Sequence, residues 1–196
     1  MQPVARIAVI IPVYNVTRFL KEAVHSAVTQ SYMPAEIIVV DDGSTAEAQA
    51  EIARICAQFP KVVHLQQSKQ GVTIARMRGV AHTLADYIVF LDADDVMLPG
   101  TLQYFADALA EYPHAIAVYG EMRAIDETGA VIPSPSPFAV YRPSGKALLP
   151  HLLANEVALC IGSICMRKAA LLVISPKNTL LQLGEDWTMW CHLALA

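Results

Sequence analysis

The segment FLDADD at residues 90–95 is the sharpest chemical signal in the sequence. Asp92 and Asp94 form an Asp-X-Asp pair at the end of a predicted strand, where two carboxylates can share a hard divalent cation and reach a sugar or phosphate oxygen. Mg²⁺ and Mn²⁺ are the ions that such oxygen ligands favour. Taken alone, the pair could equally be a solvated acidic turn that caps the next helix, so a metal site needs a second signal.

A second acidic cluster, Asp41 and Asp42, follows the apolar segment 37–40 within the sequence EIIVVDDGS. Asp-Asp-Gly-Ser is also ordinary turn chemistry, and alone it would be a weak signal. In an open sheet of parallel strands, however, ligands bind in the crevice outside the carboxyl ends of the strands. We therefore expect the two acidic clusters to converge at one edge of a sheet.

A third acidic pair, Glu185 and Asp186, lies in the sequence GEDW at residues 184–187. It falls in the first turn of a predicted helix, where backbone amides hold a carboxylate that can still point toward the strand ends. Such a carboxylate can serve as a general base beside a reacting hydroxyl. An ordinary acidic first turn of a helix is the alternative interpretation.

The elements that position these acids follow from the periodicity of the apolar residues. Short β-branched segments alternate with longer segments of helical period, which predicts an α/β fold with a mostly parallel sheet covered by helices. The first strand is predicted at 6–11 and ends at Pro12, and Thr17 is the predicted N-cap of the helix that follows, to about residue 30. Further strands are predicted at 37–40, 62–65, 87–91, 115–119 and 162–166, with helices at 72–84, between Pro99 and residue 112, and from Lys168.

Composition limits the class of protein. The chain has 196 residues, of which 55% are apolar and 16% charged, as expected of a globular domain with a large core. Its 14 basic and 18 acidic residues give a net charge of −4, which argues against binding to nucleic acid. The apolar segments are shorter than the roughly 18 to 20 residues of a transmembrane helix. Without zinc, disulfide or signal-peptide patterns, we expect a cytoplasmic protein with reduced cysteines.

Five ordered motifs cover the chain from about residue 5 to its end. In this order and spacing they resemble those of a bacterial family 2 glycosyltransferase, an inverting enzyme. The resemblance implies a GT-A fold in a single domain over 1–196, with a nucleotide-binding half at 1–95 and an acceptor-side half at 96–196. It also implies that the chain is truncated at its C-terminus. The motifs are IPVYN at 11–15, EIIVVDDGS at 36–44, Gly-Val-x-x-Ala-Arg at 71–76, YIVFLDADD at 87–95 and GEDW at 184–187.

The resemblance assigns a role to each motif. Pro12, Val13 and Tyr14 match the loop that packs around the nucleotide base. Asp42 matches the acid that accepts a hydrogen bond from that base, typically uracil.

The remaining motifs match groups that act on the diphosphate, the metal and the acceptor. Arg76 matches an arginine near the donor diphosphate, although the residue after it, usually Asn, is Met77. Asp94 matches the metal ligand, and Asp92 matches a contact to the ribose or to the metal. Asp186 matches the general base, with Glu185 as the adjacent alternative.

The implied function is transfer of a sugar from a nucleotide-diphosphate sugar, with UDP as the expected nucleotide, to the hydroxyl of a sugar or lipid-linked sugar acceptor. The resemblance implies dependence on Mn²⁺ or Mg²⁺ and a place in the synthesis of cell-surface polysaccharide or glycan. Peripheral association with the inner face of the membrane through a missing C-terminal region is a further expectation. The alternatives are a catalytically silent relative that binds nucleotide sugars and a sugar nucleotidyltransferase, whose glycine-rich loop after the first strand is not found here.

Overall fold

A mixed six-stranded sheet with helices on both faces forms the centre of the molecule. The computed structural model describes residues 5–133, 145–147, 150, 159–174, 189–192 and 194. The strand order is β3-β2-β1-β4-β6-β5. Strands β1 to β4 are mutually parallel, and β6 is antiparallel to both β4 and β5. The strands are β1 (Ile7–Val13), β2 (Glu36–Asp42), β3 (Val62–Gln67), β4 (Tyr87–Phe90), β5 (Ala117–Tyr119) and β6 (Ile164–Arg167).

Helices connect or flank the strands. The order of elements confirms the predicted alternation of strands and helices over the first 120 residues. Among the described residues, no helix is long and apolar enough to cross a membrane. The helices are α1 (Leu20–Val28), α2 (Ala46–Cys56), α3 (Val72–His82), α4 (Thr101–Glu111) and α5 (Lys168–Ile174), with 3₁₀ turns at Gly145–Ala147 and Ile161–Ser163.

The central strands are buried on both faces, as expected for a sheet covered by helices. One apolar layer contains Ile7, Val9 and Ile11 of β1 and packs against α1, α2 and α4. The other, the core layer of α3, contains Ala8 and Ile10 of the same strand together with buried residues of α3 and α5 and the helical residues Met189, Trp190 and Ala194. Successive residues of β1 therefore alternate between the two layers, which fixes the register of the strand.

Strand β1 continues through Pro12, so the prediction that Pro12 ends it was wrong. The backbone oxygen of Ile10 accepts a hydrogen bond from the amide of Leu91, so the backbone N–H and C=O of Ile10 face β4. Because this pattern repeats every second residue, the backbone nitrogen of Pro12 faces the same side. Pairing of β1 with β4 ends at Ile10 and Phe90, whereas pairing with β2 continues to Val13. Pro12 has no N–H to donate, but its nitrogen lies beyond the last pair of β1 with β4, so no hydrogen bond between strands is lost.

Helix α1 begins two residues later than predicted, and Thr17 is not its N-cap. The N-cap is Phe19, which makes no side-chain capping bond, and its backbone oxygen accepts from the amides of Glu22 and Ala23. Leu20, the first helical residue, is fully buried. Burial of the apolar face of α1 therefore determines where the helix begins, and no side-chain cap contributes.

Candidate active site

The carboxyl ends of β1 to β4 lie at one edge of the sheet because these strands are parallel. Tyr14 follows β1, Asp42 ends β2, and Asp92 follows β4 closely. The strands that precede the two acidic clusters, β2 and β4, therefore end at the same edge of the sheet, as predicted.

Asp42 is 2% exposed and is surrounded by donors from the last residue of β3 and from the segment that follows it. Its Oδ1 accepts from Gln67 Nε2 and from the backbone amide of Gln70, each at 2.8 Å. Its Oδ2 accepts from the backbone amide of Gly71 at 2.8 Å and pairs with Lys69 Nζ at 3.2 Å. A carboxylate offers about four lone-pair positions, so these four groups occupy them all.

The environment of Asp42 keeps its side chain ionised. Burial by itself raises the pKa of the carboxyl group because it disfavours the charged form. Hydrogen bonds from Gln67, Gln70, Lys69 and Gly71 outweigh that effect and lower the pKa below its ordinary value. At neutral pH the carboxylate therefore holds the segment 67–71 against the end of β2.

Of the three loop residues predicted to pack around a base, only Tyr14 presents an open surface. Pro12 and Val13 are buried within β1, whereas Tyr14 is 43% exposed. The ammonium of Lys69 lies over its ring, 3.1 Å from the centroid. Lys69 thus touches both Tyr14 and Asp42.

Asn15 joins the loop after β1 to the turn after β2. It adopts a left-handed backbone conformation with φ of 57°, which asparagine tolerates better than most residues. Its amide donates to Ser44 Oγ at 3.0 Å, and its Oδ1 accepts from the amide of Thr45 at 2.9 Å. These two bonds fix the position of Tyr14 relative to Asp42.

Arg76 lies on α3 and extends to the acidic turn after β4. Its guanidinium donates to Asp92 Oδ1 at 2.9 Å and lies 5.8 Å from the ring centroid of Phe90. The side chain of Arg76 is 7% exposed, and that of Asp92 is 35% exposed. Met77, next on the helix, packs against the core layer of α3, so an apolar contact replaces the usual Asn there.

The acidic turn itself combines exposed and buried carboxylates. Asp94 is exposed, whereas Asp95 is half-buried and points toward Cys160. Burial, together with the charges of Asp92 and Asp94, raises the pKa of Asp95. A divalent cation at this turn would offset the repulsion between these carboxylates.

The turn fits a metal ion that arrives with its substrate better than a metal held by protein alone. Within the described part of the chain, no group of three or more His, Cys, Asp and Glu side chains could hold a metal ion. Mg²⁺ is commonly bound through one or two carboxylates, with substrate phosphates and waters supplying the other ligands. Asp94 and Asp92 suit that mode of binding.

A cavity of about 610 Å³ opens on the other side of the acidic turn. It lies at the ends of β4 and β5 and the beginning of β6, and Asp95 lines it where it meets the turn. Apolar side chains contribute much of its wall. Other lining residues include Met97, Tyr104, Met122, Ile125 and Ser163.

Comparison with known proteins identifies the family of this chain. The family model described as glycosyl transferase family 2 matches residues 8–173, which is most of the chain. The chain belongs to glycosyl transferase family 2. A relative from Rickettsia conorii, the glycosyltransferase RC0461, is 30% identical over 189 residues, which cover 94% of this chain and 30% of the relative.

Two solved structures share the fold of this family 2 chain. S. aureus TarS in complex with UDP-GlcNAc superposes with a TM-score of 0.72 at 22% identity, covering 96% of this chain and 54% of that one. The mannosyltransferase PcManGT of Pyrobaculum calidifontis, in complex with GDP-Man and Mn²⁺, gives 0.69 at 19% identity, covering 95% and 51%. Both are GT-A glycosyltransferases, so the predicted GT-A fold is confirmed. This chain spans about half the length of each.

Glu185 and Asp186, the acids that the family resemblance gives to the general base, lie outside the described residues. The nearest described residues, Met189 and Trp190, are helical and buried in the core layer of α3. Their burial attaches this last helical segment to the sheet.

Sequence reasoning missed three polar residues of this family 2 site. Gln67, Lys69 and Gln70 all bind Asp42, yet none belongs to a motif with a recognised catalytic spacing. Their position directly before the Gly-Val-x-x-Ala-Arg segment is the signal that could have drawn attention to them.

Proposed function

We propose that this chain transfers a sugar from a nucleotide-diphosphate sugar, with UDP as the nucleotide, to an acceptor hydroxyl with inversion of configuration. The observation that carries the proposal is the order of groups along one sheet edge. An aromatic face and a buried carboxylate lie at the ends of β1 and β2. Arg76 of α3 pairs with the partly exposed Asp92 after β4, beside the exposed Asp94, and a cavity lies beyond them. A base, a diphosphate and an acceptor can follow one another in that order.

The groups along this sheet edge contact different parts of the donor. The base stacks on Tyr14 beside Asp42, and Arg76 stabilises the charge that develops on the departing diphosphate. Asp94 and Asp92 would hold Mn²⁺ or Mg²⁺, which when bound supplies further positive charge to the same leaving group. TarS was solved with UDP-GlcNAc and PcManGT with GDP-Man and Mn²⁺, which supports a nucleotide-sugar donor and a divalent cation.

The reaction is a single displacement. The acceptor oxygen attacks the anomeric carbon while the bond from that carbon to the diphosphate oxygen breaks. Asp186 takes the proton of the acceptor hydroxyl, and Glu185 is the alternative base. The cavity of about 610 Å³ receives the acceptor, a sugar or lipid-linked sugar, in keeping with synthesis of cell-surface glycans.

Calorimetry with UDP, GDP, CDP and dTDP, each with Mn²⁺ and with a chelator, tests the donor site. We expect UDP to bind most tightly and to bind more weakly when the metal is removed. A ligand at about 100 times its dissociation constant adds about 2.7 kcal/mol of stability, which raises the melting temperature of a chain of this size by roughly 5 to 10 °C. Equal affinity with metal and with chelator would refute the metal role, and binding of none of the four would refute the donor site.

A further inference from the structure

Lys69 occupies the space that the proposed function gives to the base. Its Nζ lies 3.1 Å from the ring centroid of Tyr14 and 3.2 Å from Asp42 Oδ2. A base that stacks on Tyr14 and donates an N–H to Asp42 needs both of these places. The two cannot be filled by the ammonium and by a base at once.

Of the four donors around Asp42, Lys69 is the one that can be exchanged at low cost. Gln70 and Gly71 donate through backbone amides that fix the loop, and Gln67 belongs to β3. Lys69 reaches Asp42 through a flexible stem, and its side chain is 49% exposed. A base N–H can therefore bind Asp42 only where the ammonium now sits.

We propose that Lys69 is an internal occupant of the base site, whose ammonium leaves Tyr14 and Asp42 when a base with a ring N–H binds there. The inference rests on the proposed donor site and adds an autoinhibitory contact to it. Uracil, thymine and guanine carry such a ring N–H, whereas the corresponding ring nitrogen of cytosine is an acceptor. The exchange replaces one donor on Asp42 by another, so the carboxylate stays fully bonded in both states.

The contact lowers the apparent affinity for a base without blocking the site. When only a fraction of molecules is competent to bind, the apparent dissociation constant rises by the inverse of that fraction. A cation on an exposed aromatic ring and an ion pair of a half-exposed lysine each shift such an equilibrium by about two- to fivefold. Together they would keep most molecules closed, yet a bound base would still displace Lys69.

The first experiment compares uridine binding to the wild type and to Lys69→Met. Methionine keeps much of the length of the side chain but carries no donor, so we expect Lys69→Met to bind uridine about fivefold or more tightly. Uridine carries no phosphate, so any contact of Lys69 with a diphosphate does not enter the result. Lys69→Arg keeps a charge that can stack on Tyr14 and pair with Asp42, so it should bind uridine no more tightly than the wild type does. Lys61→Met is the matched control, because Lys61 lies before β3 and contacts Met33.

The second experiment follows Lys69 in the wild-type protein. Reductive ¹³C-methylation of the lysines gives each dimethylammonium an NMR signal, and that of Lys69 should be shifted upfield by the ring of Tyr14. Its absence in Lys69→Met assigns it. We expect the signal to lose its upfield shift as uridine saturates the site.

Two results would overturn the proposal. One is uridine binding to Lys69→Met that equals or falls below that of the wild type. The other is an upfield signal that stays in place at saturation. If UDP with Mn²⁺ still binds the wild type, only the exchange of Lys69 has failed. If neither uridine nor UDP binds any variant, the donor site itself is refuted.

Discussion

Arg76 places a nearly buried positive charge beside the acidic turn after β4. Its contact with Asp92 at 2.9 Å joins two motifs that lie apart in the sequence, one matched to the diphosphate and one to the metal. A buried charge is costly unless it is paired, so the Asp92 carboxylate contributes to stability as well as to the proposed donor site. The two roles can be separated by experiment.

A double-mutant cycle of Arg76→Gln and Asp92→Asn measures the strength of this pair. We expect a coupling free energy of about 1 to 2 kcal/mol by urea unfolding, because the arginine is nearly buried while the aspartate is partly screened by water. The exposed pair of Arg54 with Glu51 on α2, at 2.6 Å, is the matched control and should couple more weakly. Equal coupling in the two cycles would show that burial of Arg76 adds nothing.

The residues that the sequence predicted at this scale are those that belong to recognisable motifs. Asp42 ends β2, Asp92 follows β4 and Arg76 reaches Asp92 from α3, so these three motif residues lie near the carboxyl edge of the sheet, and their roles stay predictions. The contact of Lys69 with Tyr14 was not predicted, because it joins two loops through space and neither loop has a period or spacing that reports the other.

At the scale of elements, the turn after β2 and the segment 67–71 fit closely because residue 43 is glycine. Gly43 has φ of +74°, a conformation that favours glycine. A Cβ added there would lie 2.4 Å from the backbone nitrogen of Lys69, far closer than two such atoms can approach. The side chain of Asp42 binds the segment 67–71, and the lack of a side chain at Gly43 leaves room for that segment.

Gly43→Ala is expected to destabilise the fold and to disrupt this loop. The left-handed backbone costs an alanine about 1 kcal/mol, and displacement of the 67–71 segment adds further loss. Gly129→Ala is the matched control, since Gly129 has φ of +83° with no atom within 4 Å of an added Cβ. Urea unfolding should show the larger loss for Gly43→Ala, and calorimetry should show that this variant alone loses affinity for UDP. Similar losses of stability in both variants would mean that only the backbone conformation matters.

The sequence predicted the order of elements well and their ends less well. Apolar periodicity identified each buried strand of the parallel part, but it could not show that β1 passes Pro12, because that depends on where pairing with β4 ends. The direction of β6 was also beyond the sequence, since a short apolar strand reads alike in both directions. Local composition determines that a strand forms, whereas its neighbours determine its length and direction.

At the scale of the whole molecule, the sheet order places the proposed donor site and the cavity side by side. Strands β3, β2 and β1 carry the base site, β4 carries the acidic turn, and β6 and β5 carry the cavity. The antiparallel β6 lies between β4 and β5, so the cavity begins beside Asp95. An acceptor in the cavity and a donor on β1 to β4 would meet at the acidic turn.

The acids proposed as the general base, Glu185 and Asp186, are far from the donor-site motifs in the sequence. Met189 and Trp190, three and four residues after Asp186 in the sequence, are buried in the core layer of α3. Asp186→Asn is expected to leave the affinity for UDP unchanged, because the role proposed for Asp186 is to take the proton of the acceptor hydroxyl and not to bind the donor. It should lower the rate of UDP release from a UDP-sugar by a factor of roughly 10² to 10⁴, the usual effect of losing a general base.

The variant Asp94→Asn provides the contrast, since it should weaken metal-dependent binding of the donor itself. Calorimetry with UDP and Mn²⁺, read beside turnover for each variant, separates a group that binds the donor from a group that moves a proton. Normal turnover in Asp186→Asn with loss in Glu185→Gln would assign the base to Glu185. Full activity of both would contradict a single displacement assisted by either acid, because an acceptor hydroxyl without a base nearby is a poor nucleophile.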